Sequence, residues 1–347
     1  MVSTHSQPSS GHRTLVIQPM VGIGDMVWHK PWLDAMIAAR PITLMAKPSA
    51  QAAAVMMDHP ELAITPLHRS ERGKKGQHDG WLGFLRLVMA LRATQADEIW
   101  ILHKSWRYAA AAWLAGIPKR AGYGFGKQKH GLNHGAPLSP ALKRAHPRQT
   151  VAAFCAQFGI APDDEQPRIT PDADSRSKAM ALAPSRPFII MGVGAADAIR
   201  RWSPMRFAAV IARLHESHPD VPVVLCGSPA ESAIAEAIIT ALPGATPAPQ
   251  CVFDQPVKTV IALHEQAAFY LGNDTSLINI AVATGRPAIR VFASSLPVLD
   301  SPLITTFLPP DPKRMDQPGA IDDIDDAAVH AAAAALLAAV VPFPKKA

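Results

Sequence analysis

Short apolar runs alternate with longer amphipathic stretches along most of the chain. Runs of four or five apolar residues bounded by turn residues indicate buried strands, and apolar residues spaced three or four apart indicate helices. This pattern predicts strands at 15–18, 42–46, 98–102, 188–191, 222–226, 268–271 and 288–292. It predicts helices at 31–39, 50–57, 81–92, 106–115, 204–216, 230–240 and 259–265, with a short one after 276. Strands separated by helices of this length form βαβ units and parallel sheets.

The predicted strands fall into two groups, which we interpret as two domains. The segment between them is rich in Pro, Ser and Asp, as linkers are, with room for one short helix. We therefore predict an α/β protein with two doubly wound, Rossmann-like parallel-sheet domains that face each other across a cleft. The predicted boundaries are a disordered tail at 1–13, a first domain at 14–165, a linker at 166–187 and a second domain at 188–347 with an Ala-rich final helix.

Composition narrows the class of protein. The 347 residues suffice for two hydrophobic cores, and the net charge of +6 either favours an anionic partner or has no consequence. The three cysteines are far apart, so neither a disulfide framework nor a zinc site is expected. The N-terminus lacks the apolar segment of a signal peptide, and the longest apolar run, at 331–341, is too short to span a bilayer. We predict a cytoplasmic protein and leave peripheral membrane contact open.

The first candidate site directly follows the first predicted strand. Gly22 and Gly24 allow a tight turn and close approach of a ligand, and Asp25 would begin the next helix and point into the cleft. The alternative is that Asp25 only caps that helix. A dinucleotide site is disfavoured because Val27 replaces the third glycine of the fingerprint and no acid follows the second strand.

A second candidate site follows the first strand of the second group. Gly192 and Gly194 precede Arg200 and Arg201, whose forked, permanently charged donors suit a diphosphate. An ordinary surface loop with a solvated arginine pair is the alternative.

A third candidate site is the turn that follows the strand at 268–271. Its residues Gly272, Asn273, Asp274, Thr275 and Ser276 would leave backbone N–H groups at a helix N-terminus, where phosphates bind well. The alternative is that Asp274 and Thr275 merely cap the helix.

Two basic stretches, at 68–75 and 118–129, are predicted to be loops of the first domain. Lys119, Arg120 and Lys127 in the second stretch would contact an anionic acceptor or lipid head groups, or would simply be solvated. His130 and His134 lie among glycines and are interpreted as loop residues rather than metal ligands.

In their order along the chain, these motifs resemble glycosyltransferase family 9, the ADP-heptose:lipopolysaccharide heptosyltransferases, from about residue 15 to 337. The matching segments are the Gly-Asp motif at 22–25, the Ala-Gly-Ile turn at 115–117 with Gly122-Tyr123, the basic-basic-Trp-Ser-Pro segment at 200–204, and the block at 272–279. The chain departs from the family's usual pattern at several positions. Ser276 stands where the family usually has glycine, Asn279 where it has histidine and Arg200 where lysine is common, and the segment at 292–297 also differs.

The resemblance implies a GT-B fold and an inverting, metal-independent single displacement with no cofactor. It implies that the first domain binds the acceptor and the second the donor, and it makes Asp25 the general base. Acceptor contacts are expected from Gly22, Gly24, Lys119, Arg120 and Lys127. Donor contacts are expected from Gly192, Gly194, Arg200, Arg201, Gly272, Asp274, Thr275, Ser276 and Asn279.

The expected partners are a nucleotide-diphosphate sugar similar to ADP-heptose and a lipopolysaccharide or polysaccharide precursor, with no nucleic acid. Peripheral contact with the cytoplasmic face of the inner membrane stays open. Two rival functions also stay open: a nucleotide-sugar epimerase of the same architecture, and a non-catalytic paralogue that binds nucleotide sugars, which Ser276 and Asn279 allow.

Overall fold

The computed structural model describes residues 12–71, 73–184, 187–195, 197–294 and 301–340. Contacts between Cα atoms divide the chain into two units, Met1–Pro167 and Arg168–Ala347. Most of the predicted tail, at 1–11, lies outside the described residues, as do parts of the predicted linker (185–186), of the segment at 292–297 (295–297) and of the basic stretch at 68–75 (residue 72). His12 and Arg13 are described, and the Arg13 N–H donates to the Asp97 carboxylate at 2.8 Å.

Strands and helices alternate through the first unit. They are β1 (Thr14–Gln18), α1 (Ile23–Ala39), β2 (Ile42–Ala46), α2 (Ala52–Val55), β3 (Ala63–Pro66), α3 (Gly80–Ala93), β4 (Glu98–Ile101), α4 (Trp106–Leu114), β5 (Lys119–Gly122) and α5 (Pro147–Ala156). The strands form one sheet in the order β3-β2-β1-β4-β5, and every pair is parallel.

The second unit repeats this arrangement. Its elements are α6 (Ala173–Leu182), β6 (Ile189–Gly192), α7 (Pro204–Ser217), β7 (Val223–Cys226), α8 (Ser232–Ala241), β8 (Gln250–Val252), α9 (Val257–Gln266), β9 (Phe269–Asn273), α10 (Ser276–Ala283), β10 (Ala288–Val291), β11 (Ile304–Phe307) and α11 (Asp326–Val340). The sheet order is β11-β10-β9-β6-β7-β8, again with parallel pairs throughout.

Both sheets are doubly wound, as the sequence predicts. Counted within its own unit, each sheet starts in the middle, adds strands to one side and then reverses to the other. The reversal lies between β1 and β4 in the first sheet and between β6 and β9 in the second. In such sheets the loops that follow the two central strands diverge and leave a crevice, where ligands bind. These two places are therefore the first to search for a site.

The pattern did not predict four strands, β3, β5, β8 and β11, and these are the four edges of the two sheets. Two further differences concern helices. The helix predicted from residue 31 begins eight residues earlier, at Ile23, so that Pro31 lies inside it. The helix that fits within the predicted linker is α6, and it packs against α9 of the second unit.

A buried ion pair fixes α1 in the first unit. The Lys30 side chain is completely buried, and its Nζ lies 2.9 Å from an Asp34 oxygen and 2.8 Å from an Asp58 oxygen. Burial raises the pKa of Asp34 although Lys30 pulls it downwards. Because Asp58 follows α2, the pair ties α1 to that segment and holds the helix that carries Asp25.

Within the described ranges, none of the helices combines the length and the apolar character needed to cross a bilayer.

Candidate active site

The turn after β1 presents Asp25 at the reversal point of the first sheet. Gly22 precedes the first residue of α1, and Asp25 is the third residue of that helix. Its Oδ2 accepts a long hydrogen bond of 3.3 Å from the Gly22 N–H. No other hydrogen bond to the Asp25 carboxylate occurs in the part of the chain that the structure describes. Asp25 therefore does cap the helix with Oδ2, as the alternative interpretation held, while its Oδ1 accepts no hydrogen bond from the described residues.

His29 stabilises the turn that carries Asp25. It is buried one helical turn after Asp25, and its Nδ1 lies 2.6 Å from the Asp25 carbonyl oxygen. Burial lowers the pKa of His29, so the ring is neutral near pH 7 and its Nδ1–H donates to that carbonyl. Gly24 is the second residue of α1, and a Cβ on Gly22 would lie 3.1 Å from Asp25 Oδ2. The glycine turn thus leaves room for the carboxylate.

Several basic side chains lie at the carboxyl edge of the first sheet. Lys47 follows β2, and its Nζ donates to the Ser70 carbonyl at 2.7 Å. Arg69 follows β3 and lies 3.2 Å from Asp79. His103 follows β4, and its pKa is lowered to about 4, first by burial and then by the charges of Lys104, Lys47 and Arg69. Sequence reasoning missed Lys47 and His103, although a polar residue directly after a buried strand was the available signal.

The three cations that were predicted to contact an acceptor lie at two different edges of the first sheet. Lys119 and Arg120 do not lie in a loop: they open β5, where Lys119 is in register with Glu98, the first residue of β4. This is the amino edge, opposite to Asp25. The Arg120 guanidinium is occupied, donating to the carbonyls of Gly131 at 2.8 Å and Ile117 at 2.6 Å. The prediction that these two residues are loop cations is therefore wrong.

Lys127 lies at the other end of β5, in a short 3-10 helix (Gly126–Gly131), and is exposed. Its neighbour Gln128 is buried and donates to the His103 carbonyl at 2.7 Å. Lys127 consequently lies at the same edge as His103. Of the three cations that were predicted to contact an acceptor, it is the one that the fold places there.

In the second unit, Asn273 organises the reversal point. This buried side chain ends β9, and its Oδ1 accepts from the Trp202 N–H at 3.0 Å. Its Nδ2 donates to the carbonyls of Val193 at 2.8 Å and Gly194 at 3.3 Å. The loop after β6 and the loop after β9 are thereby locked together. The segments that the sequence predicts as the second and third candidate sites therefore lie side by side.

Gly192 and Gly272 have a packing role that the sequence did not show. They are paired in register on β6 and β9. A Cβ on Gly192 would overlap the Tyr270 hydroxyl, and one on Gly272 would overlap the Gly192 carbonyl. Tyr270 is buried, which raises its pKa, and its hydroxyl donates to the Asn273 carbonyl at 3.0 Å. Close packing around Tyr270 explains why both positions are glycine.

A Gly192→Ala substitution should therefore lower the free energy of unfolding by about 1–3 kcal/mol, as overpacking does. Urea denaturation measures this loss. Gly244→Ala is the control, since a Cβ there meets no atom within 4 Å. In a double-mutant cycle with Tyr270→Phe, the double variant should lose less than the sum of the single losses. A stable Gly192→Ala protein would contradict the packing role.

A carboxylate that sequence reasoning missed lies beside Gly194. Glu231 follows β7, and its Oε2 accepts from the Ser228 N–H at 2.7 Å and from the Ser228 hydroxyl at 2.9 Å. A Cβ on Gly194 would overlap the other oxygen, Oε1. In Rossmann-like folds an acid after the second strand binds the ribose hydroxyls of a nucleotide. The sequence feature that could have identified Glu231 is its position as an acidic residue five residues after the strand.

The two arginines of the loop after β6 point to different places. Arg200 Nε donates to the Ser294 hydroxyl, beyond the end of β10, at 2.8 Å. Its side chain therefore reaches from the β6 loop past β9 towards the β10 loop. Arg201 is exposed, and its Nε donates back to the Ala195 carbonyl at 2.8 Å. Only Arg200 extends across the edge where the loops converge.

The turn after β9 begins α10. Thr275 is the N-cap, and its hydroxyl accepts from the Leu277 N–H at 3.3 Å, so the capping alternative is correct for this side chain. Asp274 lies 3.5 Å from Arg290, a buried cation on β10. Ser276 is the first residue of α10, and Asn279 follows one turn later, half-buried. These residues share the edge with Arg200 and Gly194.

Comparisons with known proteins identify the family of the chain. A sequence model of glycosyltransferase family 9 (heptosyltransferase) matches residues 84–308. Lipopolysaccharide heptosyltransferase 2 of Salmonella typhimurium is 26% identical over 233 residues, which are 63% of this chain and 66% of that protein, just under two thirds of its length.

Two solved structures show the same fold. The glycosyltransferase family 9 protein of Veillonella parvula superposes with a TM-score of 0.75 at 19% identity, covering 94% of this chain and 97% of that one. The ADP-heptose lipopolysaccharide heptosyltransferase II of E. coli gives a TM-score of 0.71 at 20% identity, covering 94% and 99%. The predicted GT-B-like fold class is confirmed. Since the family model covers more than half of the sequence, the chain belongs to glycosyltransferase family 9.

Proposed function

We propose that this protein is an inverting, metal-independent glycosyltransferase that moves a heptose from a donor similar to ADP-heptose to a hydroxyl of a lipopolysaccharide precursor. The observation that carries the proposal is that each sheet presents a candidate half-site at its own reversal point. A half-free carboxylate stands at the reversal point of one sheet, and an arginine-lined loop cluster held by Asn273 stands at that of the other. Membership of family 9 and the names of its two heptosyltransferase relatives support the choice of sugar.

The donor nucleotide fits the second sheet. Glu231 would accept hydrogen bonds from the ribose hydroxyls, because its Oε1 lies against Gly194 and accepts no hydrogen bond from the residues that the structure describes. The diphosphate would lie between Arg200 and the first turn of α10, where N–H groups and the helix dipole favour negative charge. Asn273 would act indirectly, by holding the loop that carries Arg200.

The acceptor fits the first sheet. Asp25 would take the proton from the attacking hydroxyl as its oxygen bonds to the anomeric carbon of the heptose. At the same time the bond from that carbon to the diphosphate breaks and ADP leaves, so the configuration inverts. Lys47, Arg69 and Lys127 lie at this edge. Asp79 pairs with Arg69 and Lys47 is buried, so the exposed Lys127 is the cation that would meet a phosphorylated or carboxylated acceptor.

Stabilisation of the leaving group would come from the protein itself. Negative charge develops on the departing diphosphate, and a fixed guanidinium and oriented N–H groups lower its energy without having to reorganise. Arg200 is suited to this because the Ser294 hydroxyl holds its Nε, so the guanidinium is already positioned. This arrangement is the basis for proposing a reaction that needs no metal ion.

The test is a turnover assay with purified protein, ADP-heptose and a heptose-deficient lipopolysaccharide precursor. ADP should be released only when both substrates are present, chelators should not slow the reaction, and the product should have the anomeric configuration opposite to that of the donor. Tight ADP-heptose binding without turnover on any acceptor would contradict the proposal and support the rival function of a non-catalytic paralogue. Conversion of the donor in the absence of any acceptor would support the rival function of a nucleotide-sugar epimerase.

A further inference from the structure

The first unit carries a concentrated apolar surface on α3 and α4. We call it the tryptophan-rich face, and it consists of Trp81, Leu82, Leu85 and Met89 of α3 with Trp106, Trp113 and Leu114 of α4. In the described chain, eleven large apolar side chains are exposed, and seven of them are on this face. Trp81 is 72% exposed and Trp113 61%. Single exposed apolar residues are ordinary, but a cluster of this kind marks an interaction surface.

The exposed residues form one continuous surface. On α3 they occupy the side of the helix opposite to Gly83, Leu87 and Leu91, which are buried against the sheet. On α4, Trp106 and Trp113 are seven residues apart and therefore lie on one side, two turns from each other.

Two arginines hold the helices side by side. Arg107 donates to the Gly80 carbonyl at 3.2 Å at the amino ends, and Arg92 donates to the Leu114 carbonyl at 3.2 Å at the carboxyl ends. The two exposed sides therefore run parallel and adjoin.

The charges on these helices are all of one sign. Arg86, Arg92 and Arg107 lie on α3 and α4, and neither helix contains an Asp or Glu. Lys104 precedes α4, and the exposed Lys74 and Lys75 precede α3; the one acid next to these helices, Asp79 at the N-cap of α3, is paired with Arg69. Trp at the level of the head groups, apolar side chains beneath it and Arg or Lys around it is the composition of surfaces that bind an anionic bilayer.

A second copy of the chain fits this surface less well. A symmetric dimer through α3 and α4 would bring arginines against arginines, with no acid on either helix to pair with them. We therefore propose that the tryptophan-rich face docks on an anionic phospholipid surface. The proposal rests on the exposed side chains, whichever donor and acceptor the enzyme uses, and binding to lipid can be measured without turnover.

The experiment is co-sedimentation of the full-length protein with vesicles. The wild-type protein should bind phosphatidylethanolamine–phosphatidylglycerol vesicles more tightly than phosphatidylcholine vesicles. The Trp81→Ser/Trp113→Ser double variant should bind at least about tenfold more weakly, because two large apolar side chains no longer enter the interface. Arg86→Gln should bind roughly fivefold more weakly to the anionic vesicles, the contribution of one surface cation.

Met180→Ser is the matched control, because Met180 is 67% exposed but lies on α6 of the second unit. It should bind vesicles like the wild-type protein, and circular dichroism should show that all the variants are folded. Wild-type binding that does not depend on anionic lipid, or a double variant that binds normally, would overturn the proposal. So would a concentration-dependent dimer that the two tryptophan substitutions abolish.

Discussion

Asp25→Asn should lower kcat by about 10²–10⁴, the usual contribution of a general base. Asparagine has the same size and can still accept the hydrogen bond from the Gly22 N–H, so the turn and α1 should keep their structure. It cannot take a proton from the acceptor hydroxyl. Single-turnover measurements of ADP release with saturating acceptor would show the loss directly, while calorimetry should find the affinity for ADP-heptose unchanged.

The control for Asp25 is Glu61→Gln, which removes a carboxylate in the same unit whose side chain is 65% exposed. It should turn over at the wild-type rate. If Asp25→Asn also retained a rate within threefold of wild type, Asp25 would be only a helix cap, and the base would have to be sought elsewhere.

Replacing Arg200 should give the second large effect, because one fixed donor to a developing negative charge is worth about 10²–10³ in kcat. Arg200→Ala should show that loss in steady-state turnover. Arg200→Lys should recover only part of it, because lysine restores the charge but not the forked donor, which bonds Ser294 and would reach a phosphate at the same time.

The neighbouring Arg201→Ala is the internal comparison for Arg200. It removes an equal charge one residue away, but from an exposed side chain that folds back on the Ala195 carbonyl. Its effect on kcat should stay below about tenfold, as a general field effect would. Equal losses for the two variants would mean that net charge in this loop, and not the position of Arg200, stabilises the leaving group.

The fold could be predicted from the sequence where strands are buried on both faces. The six strands β1, β4, β6, β7, β9 and β10 are buried along their whole length, and continuous apolar runs are the signal of such strands. The four missed strands are the edges, with sequences such as Lys119-Arg120-Ala121-Gly122 in β5. Each of the four is short, partly exposed and contains polar, charged or proline residues, so it has the composition of a loop.

The site was predictable only as far as position along the chain determines it. Asp25 follows a central strand of the first sheet, and Arg200 and the 272–276 turn follow central strands of the second. Parallel topology brings such loops to the carboxyl edge of their own sheet. Lys119 and Arg120 were wrongly predicted to lie in a loop, because they belong to β5, an edge strand with no sequence signal. The packing roles of Gly192 and Gly272 depend on where the Tyr270 side chain lies, which no local pattern shows.

The seven tryptophans of this chain divide into two optical populations. Trp28, Trp32, Trp100 and Trp202 are at most 6% exposed, while Trp81, Trp106 and Trp113 are all at least half exposed and all belong to the tryptophan-rich face. Buried indoles emit at shorter wavelength and resist aqueous quenchers, whereas exposed indoles emit further to the red and are quenched readily. The protein thus carries an unlabelled fluorescent reporter of whether that face is wet or covered.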